Sequence, residues 1–251
     1  MTSAARRAWS RRDVLGAIGT AAGAAVAGAC GSSVTPVGPS TATTGSTASG
    51  TTTSTTSGAC AIAPNETIGP YPDITGMLGN QAFFRQDVTE GRPGLPLSLV
   101  ITVVNANAAC APLAGAAVEI WQCDADGHYS EYAQPGFNGS GQTFLRGLQV
   151  TDAAGRVTFK TVYPGWYQGR ATHVHVEVYV NGRSIKVTQI AFPEDITAQV
   201  YRSGVYASHG QNPTTNRSDM VFSDGVSDEL ATLSGSVAGG YTASITFGVA
   251  A

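Results

Sequence analysis

The chain of 251 residues carries a net charge of −3, with 12% charged and 42% hydrophobic residues. A weakly acidic chain without basic runs is not expected to bind nucleic acid. Once the N-terminal part described next is set aside, roughly 190 residues remain, enough for one domain with a substantial core. We therefore expect a single folded domain over residues 59–251.

The first 30 residues have the features of an export signal. The paired Arg11 and Arg12 precede a short run, Val14–Ala29, made mostly of Ala and Gly. A charged start, a short apolar stretch and small residues at its end are typical of a signal peptide, and the arginine pair indicates the twin-arginine type. The run is too short and too weakly apolar for a membrane-spanning helix. We expect export across the cytoplasmic membrane.

Cys30 ends this segment as Ala27-Gly28-Ala29-Cys30, which resembles a lipoprotein processing site with Cys30 as the lipidated residue. The match is loose, because Ala stands where Leu is usual, and cleavage near Ala29 by an ordinary signal peptidase is the alternative. Residues 31–58 are rich in Ser, Thr and Gly and predict a flexible linker. The domain is thus expected outside the cell or tethered to its surface through Cys30.

Runs of alternating or β-branched residues predict about eight strands in the remaining chain. The clearest runs are 97–104, 117–122, 144–150, 156–162, 173–180, 185–192 and 241–249. Turns rich in Gly, Pro, Asn and Asp separate them, 131–143 has the composition of a surface loop, and Ser227–Ser234 predicts only one short turn of helix. Short strands at this spacing predict an all-β fold, a single β-sandwich with long loops.

Three cysteines belong to this domain, Cys60, Cys110 and Cys123. Export places them in an oxidising compartment, where disulfides form. Cys110 and Cys123 flank one predicted strand, and its length keeps them too far apart to bond. We expect Cys60 to bond with one of the two, both pairings staying open, and one thiol to remain free.

The segment PGWYQGRATHVHVEVYV places His173 and His175 two residues apart on a predicted strand. Side chains two apart point to the same side, with Cα atoms about 6.6 Å from each other, so both imidazoles can reach one ion. A solvated polar face is the alternative for this pattern alone. Tyr167 lies six residues upstream, after a Pro-Gly turn that would bring the chain towards the same end of the strand.

The combination of a tyrosine with two histidines indicates the type of metal. A phenol with a free pKa of about 10 is a poor ligand until a strongly charged cation displaces its proton. A hard trivalent ion gains most from a phenolate oxygen, whereas zinc more often binds His together with Cys or carboxylate. The set therefore favours ferric iron over zinc.

Four motifs in order, IWQCDADGHYSEY, FLRG, PGWYQGRATHVH and VTQIAFP, resemble those of the intradiol ring-cleavage dioxygenases. The chain is most similar to an exported, short-loop branch related to the β chain of protocatechuate dioxygenase. The resemblance runs from about Cys60 to the C-terminus. It implies a non-haem Fe(III) enzyme, with one iron per domain, that uses O2 to cleave a catechol-type diol into a muconate-type dicarboxylic acid.

The resemblance also implies roles for individual residues. The metal ligands would be Tyr129, Tyr167, His173 and His175, with Tyr167 as the ligand that leaves when substrate binds. Arg170 would stabilise developing negative charge, and Gln189 would hydrogen-bond in the same region. Tyr71 and Trp166 would border the substrate pocket. Only Gln168–Thr172 separate Tyr167 from His173, a shorter loop than in larger family members, so the substrate cannot be carried over.

Other interpretations of these residues stay open at this point. The domain could be an exported β-sandwich binding module with a structural or vestigial metal, or a zinc hydrolase using Glu177 as its base. Several nearby residues fit no ligand position and are expected in the core, at turns or on the surface: Trp121, Asp124, Asp126, His128, Tyr132 and His209. Nothing in the sequence indicates an oligomeric state.

Overall fold

The structure, a computed structural model, describes residues 61–251. The predicted export signal, the linker, Cys30 and Cys60 lie outside the described residues, so those expectations stay predictions. Within residues 61–251 no helix is both long and apolar enough to cross a membrane.

The described chain is built mainly from strands. The longer ones are β1 (Pro96–Asn105), β3 (Ala117–Trp121), β6 (Arg146–Val150), β7 (Arg156–Val162), β8 (His173–Val180), β9 (Arg183–Ala191), β10 (Thr232–Ser236) and β11 (Gly240–Val249). The two-residue strands are β2 (Ala111–Pro112), β4 (Ala133–Gln134) and β5 (Phe137–Asn138). One α-helix, α1 (Glu194–Val200), and 3₁₀ turns at Met77–Gly79, Gln81–Phe83, Ala106–Ala108 and Gly204–Ser208 complete the elements of residues 61–251.

Two sheets pack face to face, which confirms the predicted all-β sandwich. One sheet has the order β10-β11-β1-β2, with β7 also paired to β1, and the other has the order β6-β3-β8-β9. β1 and β11 run parallel over nine residue pairs, whereas β8 is antiparallel to both β3 and β9. β4 and β5 form a separate hairpin. The four-stranded sheet carries the two histidines.

The core lies between the inner faces of the sheets, as the period-2 patterns predict. In β11 the odd-numbered residues from Tyr241 to Val249 are buried, whereas Thr242, Ser244 and Thr246 are exposed. The buried residues of β11 pack in one cluster with Leu99 and Ile101 of β1 and with Val176 of β8. Burying alternate side chains of two facing sheets removes their apolar area from water, which is the main favourable contribution to folding.

β8 departs from simple alternation, because both of its faces are buried. Val174, Val176 and Val178 point into the core between the sheets. His173 and His175 are 2% and 0% exposed, so the opposite face is not the solvated surface that a polar pattern suggests. Loops that precede β1 or follow β3 and β7 cover it. The polar side of β8 is therefore an enclosed site.

Two local expectations were wrong. Ser227–Ser234 forms no helix; it contains a turn and the start of β10, which pairs with the edge of β11. The helix lies instead at Glu194–Val200, where Pro193 precedes it and Glu194 and Asp195 occupy its first turn. Pro and acidic residues favour a helix start, but seven residues are too few to show a helical period. The predicted loop 131–143 contains the β4–β5 hairpin.

The cysteines agree with the expected geometry. Cys123, just beyond β3, is a buried free thiol. Cys110 is disulfide-bonded, and its partner lies outside the described residues. A bond between Cys110 and Cys123 is thereby excluded, and Cys60 remains the predicted partner of Cys110.

Glu119 and Glu177 stand directly opposite each other on β3 and β8, and both are buried. Burial, together with the carboxylates of Asp73 and Glu177, raises the pKa of Glu119 to about 8. A carboxyl whose pKa is raised on folding binds its proton more tightly in the folded state. The free energy of unfolding is therefore highest while Glu119 is protonated and falls as pH rises from about 4.5 through 8.

We predict that Glu119→Gln, which can keep the hydrogen bond from the Tyr179 hydroxyl, increases the free energy of unfolding at pH 8–9 by about 1–2 kcal/mol.

The measurement is urea unfolding at pH 5 and pH 8.5. The variant should lose less stability than the wild type between the two values, and parallel losses would show that Glu119 does not set this pH dependence.

Candidate metal centre

Four rings from three chain segments meet on the outer face of the β6-β3-β8-β9 sheet. His173 and His175 come from β8, Tyr129 from the loop after β3, and Tyr167 from the loop between β7 and β8. Their ring centroids follow one another at 5.7 Å for Tyr129–Tyr167, 5.6 Å for Tyr167–His173, 4.7 Å for His173–His175 and 6.4 Å for His175–Tyr129. The four residues that the family resemblance assigns to a metal are thus neighbours in one cluster.

Two glycines let the loops that carry the tyrosines approach backbone to backbone. A Cβ on Gly127 would lie 2.2 Å from the carbonyl oxygen of Trp166, and one on Gly165 would lie 2.2 Å from that of Asp124. No other residue fits such contacts, and Gly127 also has a φ of +84°. The Gly-His-Tyr and Pro-Gly-Trp-Tyr sequences therefore work as a pair, each placing its tyrosine against the other loop.

Both imidazoles direct ring nitrogens at each other, and their buried surroundings favour the neutral form. The Nε2 atoms of His173 and His175 are 3.1 Å apart, and Nδ1 of His173 is 2.6 Å from the carbonyl oxygen of Ala171. That carbonyl can only accept, so Nδ1 of His173 carries the proton and Nε2 presents its lone pair. Burial and the Arg170 cation lower the pKa of His173 to about 3, and burial and His173 lower the pKa of His175 as well.

The two phenols are buried to different degrees. Tyr129 is fully buried, and its hydroxyl has no hydrogen-bond partner among the described residues. Burial raises the pKa of Tyr129 well above its usual value. Tyr167 is partly exposed, with its hydroxyl 3.5 Å from Nε2 of His173, and burial raises its pKa to about 12 although Arg170 opposes the rise.

These donors fit a hard, highly charged metal ion. A buried hydroxyl without a partner is costly, and a cation that displaces its proton removes that cost. Two imidazole nitrogens and two phenol oxygens lie close together, whereas the neighbouring Asp219 carboxylate is bonded to Arg170. Phenolate oxygens with imidazoles suit ferric iron better than zinc or calcium. The residues present therefore fit the iron that the sequence predicts.

The site is organised as one row across the sheet. Strand register places Arg146 opposite Trp121, Trp121 opposite His175, and His175 opposite Gln189. Side chains opposite each other in neighbouring strands share a face. The Trp121 ring accordingly stacks on His175 at 4.7 Å with an interplanar angle of 1°, which fixes the plane of the imidazole.

Arg170 is held beside the histidines by three partners. Its Nε donates to both carboxylate oxygens of Asp219 at 3.1 and 2.9 Å, one NH2 group donates to Gln189, and the other lies 3.5 Å from Nε2 of His173. Asp219 also accepts from the backbone N–H of Ala171 at 2.7 Å. A guanidinium fixed in this way presents a preorganised positive charge at the cluster.

The segment before β1 covers the histidines from the outside. The carbonyl oxygen of Thr67 accepts from Nε2 of Gln189 at 2.9 Å. Gly69 lies so close that a Cβ there would be 2.8 Å from Cε1 of His175. Further along, Tyr71 stacks on Tyr129 at 4.7 Å and meets Tyr167 edge-on at 5.8 Å. Tyr71 therefore packs against both tyrosines of the site, and its place at the border of a substrate pocket stays a prediction.

Trp166, unlike Tyr71, contacts residues 209–210. Its Nε1 donates to the carbonyl oxygen of Gly210, and its ring packs against His209 at 4.4 Å. His209 in turn bonds the Trp166 carbonyl oxygen at 2.9 Å. These contacts tie the Tyr167 loop to residues 209–210, so the partners of Trp166 lie on the far side of that loop rather than among the four rings.

A second group of potential ligands, Asp124, Asp126 and His128, has its ligand atoms within 4.8 Å of one another. Asp124 accepts from the backbone N–H groups of Asp126 and His128 and pairs with Arg92. Its oxygens are thus already used by a turn and an ion pair, which agrees with the turn-forming role expected for Asp124 and Asp126.

Sequence reasoning missed Asp219, Thr67 and Gly69 as parts of this site. Asp219 is 49 residues from Arg170, and Thr67 is 122 residues from Gln189. No periodicity or motif links such distant positions. The only local signal was the run Gly69-Pro70-Tyr71, from which Tyr71 was predicted but not its neighbours.

We predict that Gly69→Ala disturbs His175, whereas Gly76→Ala does not. Both glycines have a left-handed φ, +75° and +78°, so both substitutions carry a similar backbone cost of about 1–2 kcal/mol. Only at Gly69 does the added Cβ meet an imidazole; at Gly76 it meets nothing within 4 Å. Histidine side-chain NMR should show a shifted His175 resonance in the first variant alone. Equal spectra for the two variants would contradict the close packing of Gly69 on His175.

Comparison with known proteins supports the same assignment. A protein-family model described as a dioxygenase matches residues 72–209, more than half of the chain. A catechol 1,2-dioxygenase of Candida albicans is 35% identical over 100 residues, a match that covers 32% of this chain and 31% of that protein. The match therefore spans less than a third of the curated relative.

Two solved structures cover the domain more completely. An intradiol ring-cleavage dioxygenase from Tetranychus urticae superposes with a TM-score of 0.68 and 27% identity, covering 76% of this chain and 95% of that chain. The dioxygenase domain of a dioxygenase–carbohydrate-binding fusion from Streptomyces sp. SirexAA-E gives a TM-score of 0.53 and 26% identity, covering 74% and 97%. The chain therefore belongs to the intradiol ring-cleavage dioxygenase family, and the arrangement of the four rings agrees with this.

Proposed function

We propose that the protein is a non-haem iron(III) intradiol dioxygenase that inserts both atoms of O2 between the two hydroxyl-bearing carbons of a catechol. For catechol itself the reaction balances without a further reactant, because one catechol and one O2 together contain all the atoms of one muconic acid. One observation carries the proposal: two buried phenols and two imidazoles lie close together, and the Tyr129 hydroxyl there has no partner among the described residues.

Tyr129, Tyr167, His173 and His175 would hold the iron. When bound, ferric iron would orient the diol and withdraw electron density from its ring, which opens the ring to O2. The Nδ1–H bond from His173 to Ala171 and the stack of Trp121 on His175 support this role, because they fix the direction of the imidazole nitrogens before any ligand arrives.

The two tyrosines would differ in mobility. Tyr129 is enclosed under Tyr71, whereas Tyr167 is partly exposed and stands at the Arg170 side of the cluster. Once deprotonated, the Tyr167 oxygen would be the more accessible base and would accept a proton from a substrate hydroxyl. Its partial exposure supports this role, because a substrate hydroxyl can reach it more readily than it can reach the fully buried Tyr129 oxygen.

Arg170 would stabilise negative charge that develops on the substrate oxygens. Asp219 and Gln189 hold the guanidinium in place, so no reorganisation is needed when the charge appears. Gln189 would act on the substrate through Arg170 rather than alone, because its amide oxygen accepts from Arg170 and its amide nitrogen donates to Thr67. Tyr71 would orient the aromatic ring of the substrate by stacking beside Tyr129.

We predict that iron-loaded protein consumes one O2 per catechol and that both atoms of ¹⁸O2 enter the dicarboxylic product. The protein should be coloured by phenolate-to-iron charge transfer. Tyr129→Phe and Tyr167→Phe should each shift or abolish this colour and lower kcat/KM by at least about 100-fold, because each removes an iron ligand and Tyr167→Phe also removes a base.

Tyr132→Phe is the matched control. Its hydroxyl donates to the carbonyl oxygen of Pro72, and its ring contacts Tyr71, so it is a neighbour that supplies no ligand. Colour and kcat/KM should stay close to wild type in this variant. A colourless iron-loaded protein, or one without O2 uptake on any catechol, would contradict the proposed function.

We also propose that the domain is exported and acts outside the cytoplasm, on the basis of Arg11, Arg12 and the apolar run that follows them. We predict that the conservative double change Arg11→Lys with Arg12→Lys retains the protein in the cytoplasm, because a twin-arginine signal is recognised by the arginine pair itself. Cell fractionation measures this. Unchanged export of the double variant would exclude a twin-arginine signal, and loss of membrane association in Cys30→Ser would support a lipid tether.

A further inference from the structure

Two segments that hold polar side chains of the site also carry residues that the site itself does not use. One segment lies around Thr67, which is bonded to Gln189, and the other around Asp219, which is bonded to Arg170. Four residues of these segments, Glu66, Ile68, Met220 and Asp224, are here called the rim.

Two members of the rim are exposed apolar side chains. Ile68 lies between Thr67 and Gly69 and is 43% exposed, and Met220 directly follows Asp219 and is 88% exposed. Single exposed apolar residues are ordinary on a protein surface, but these two adjoin the residues that hold Gln189 and Arg170. A methionine side chain adapts readily to apolar groups of varied shape.

The other two members of the rim are carboxylates. Glu66 is partly buried and close enough to Asp224 and Asp219 that burial and these charges raise its pKa to about 7. Neither Glu66 nor Asp224 has an ion-pair partner in the part of the chain that the structure describes. The nearby cation, Arg170, is already bonded to Asp219 and Gln189. The rim thus carries two carboxylates without an ion pair among the described residues, and the Arg170 cation, which opposes the rise in the pKa of Glu66, is bonded to other groups.

From this charge and surface we propose that the site opens to solvent between these two segments, past the rim, and that it selects catechols whose remaining substituent is uncharged and apolar over catechols that carry a carboxylate. The inference rests on the proposed function and adds a substrate class to it. A carboxylate that projects through the opening would approach Glu66 and Asp224 in a partly desolvated place, where like charges repel more strongly than in water. An alkyl or ester group would instead cover Ile68 and Met220 and remove apolar area from water.

Arg217 is the residue that could reverse this selection. It lies two residues before Asp219, is exposed and makes no ion pair among the described residues. If its side chain turned towards a bound substrate it would attract a carboxylate. Arg217→Gln therefore belongs in the test.

The test uses iron-loaded full-length protein at pH 8 with three probes: 3,4-dihydroxybenzoate, its methyl ester and its butyl ester. The methyl ester removes the charge while keeping the ring and the carbonyl, and the butyl ester adds apolar length. We expect kcat/KM for the methyl ester to exceed that for the acid by at least about ten-fold, given two unpaired carboxylates at the opening. The butyl ester should have the lowest KM of the three.

Two variants of the rim separate the charge from the apolar contact. Glu66→Gln should raise kcat/KM for the acid by about five-fold and leave both esters unchanged. Met220→Ser should raise the KM of the butyl ester by about three-fold and leave the methyl ester unchanged. Asp195→Asn removes one exposed carboxylate on α1 and is the control, which should alter none of these values. Arg217→Gln should not lower kcat/KM for the acid.

The outcomes distinguish the inference from the function on which it rests. If the esters are consumed but the acid is consumed equally well or better, or if Arg217→Gln lowers kcat/KM for the acid, the inference is wrong and the proposed function stands. If catechol and all three probes give no O2 uptake, the proposed function fails and the inference fails with it.

Discussion

The structure depends on the burial of the polar face of β8. A strand with valines on one side and histidines on the other would normally turn the histidines to water, but here both sides are enclosed. Buried polar groups must find partners, and His173 finds one in the carbonyl oxygen of Ala171. Nε2 of His173 then has Nε2 of His175, the Tyr167 hydroxyl and the Arg170 guanidinium as neighbours, so the enclosure itself brings together donors suited to a cation.

Enclosure is possible because three separate segments cover the strand at close range. Glycines at positions 127 and 165 let the two tyrosine loops touch, and Gly69 lets the segment before β1 lie on His175. A buried ion pair between Arg146 and Glu131, with further bonds from Arg146 to Ser130 and to the Tyr71 carbonyl oxygen, joins the covering segments to β6. Small residues at the contacts, together with the bonds that Arg146 makes beneath them, keep the cover in one position, which is what preorganisation of the site requires.

Much of the fold was readable from alternation, and the failures have a common cause. β1, β7, β8 and β11 were predicted within one residue of their observed bounds, because each buries a regular apolar stripe. The strands β2, β4, β5 and β10 were not, since they are short or lie at an edge and are stabilised by their partners rather than by their own pattern. The seven-residue helix α1 was missed for the same reason.

The sequence by itself predicted the chemistry. Spacings of a few positions, which local backbone geometry converts into direction, indicated Tyr167, His173 and His175 as a donor set, and the family resemblance added Tyr129 and the role of Arg170. Tertiary structure alone decided that the histidine face is buried, that Trp121, His175 and Gln189 stand in one row, and that Asp219 and Thr67 hold Arg170 and Gln189. Strand register and contacts between distant segments arise from how the sheets and loops pack, and no stretch of sequence contains both partners of such a contact.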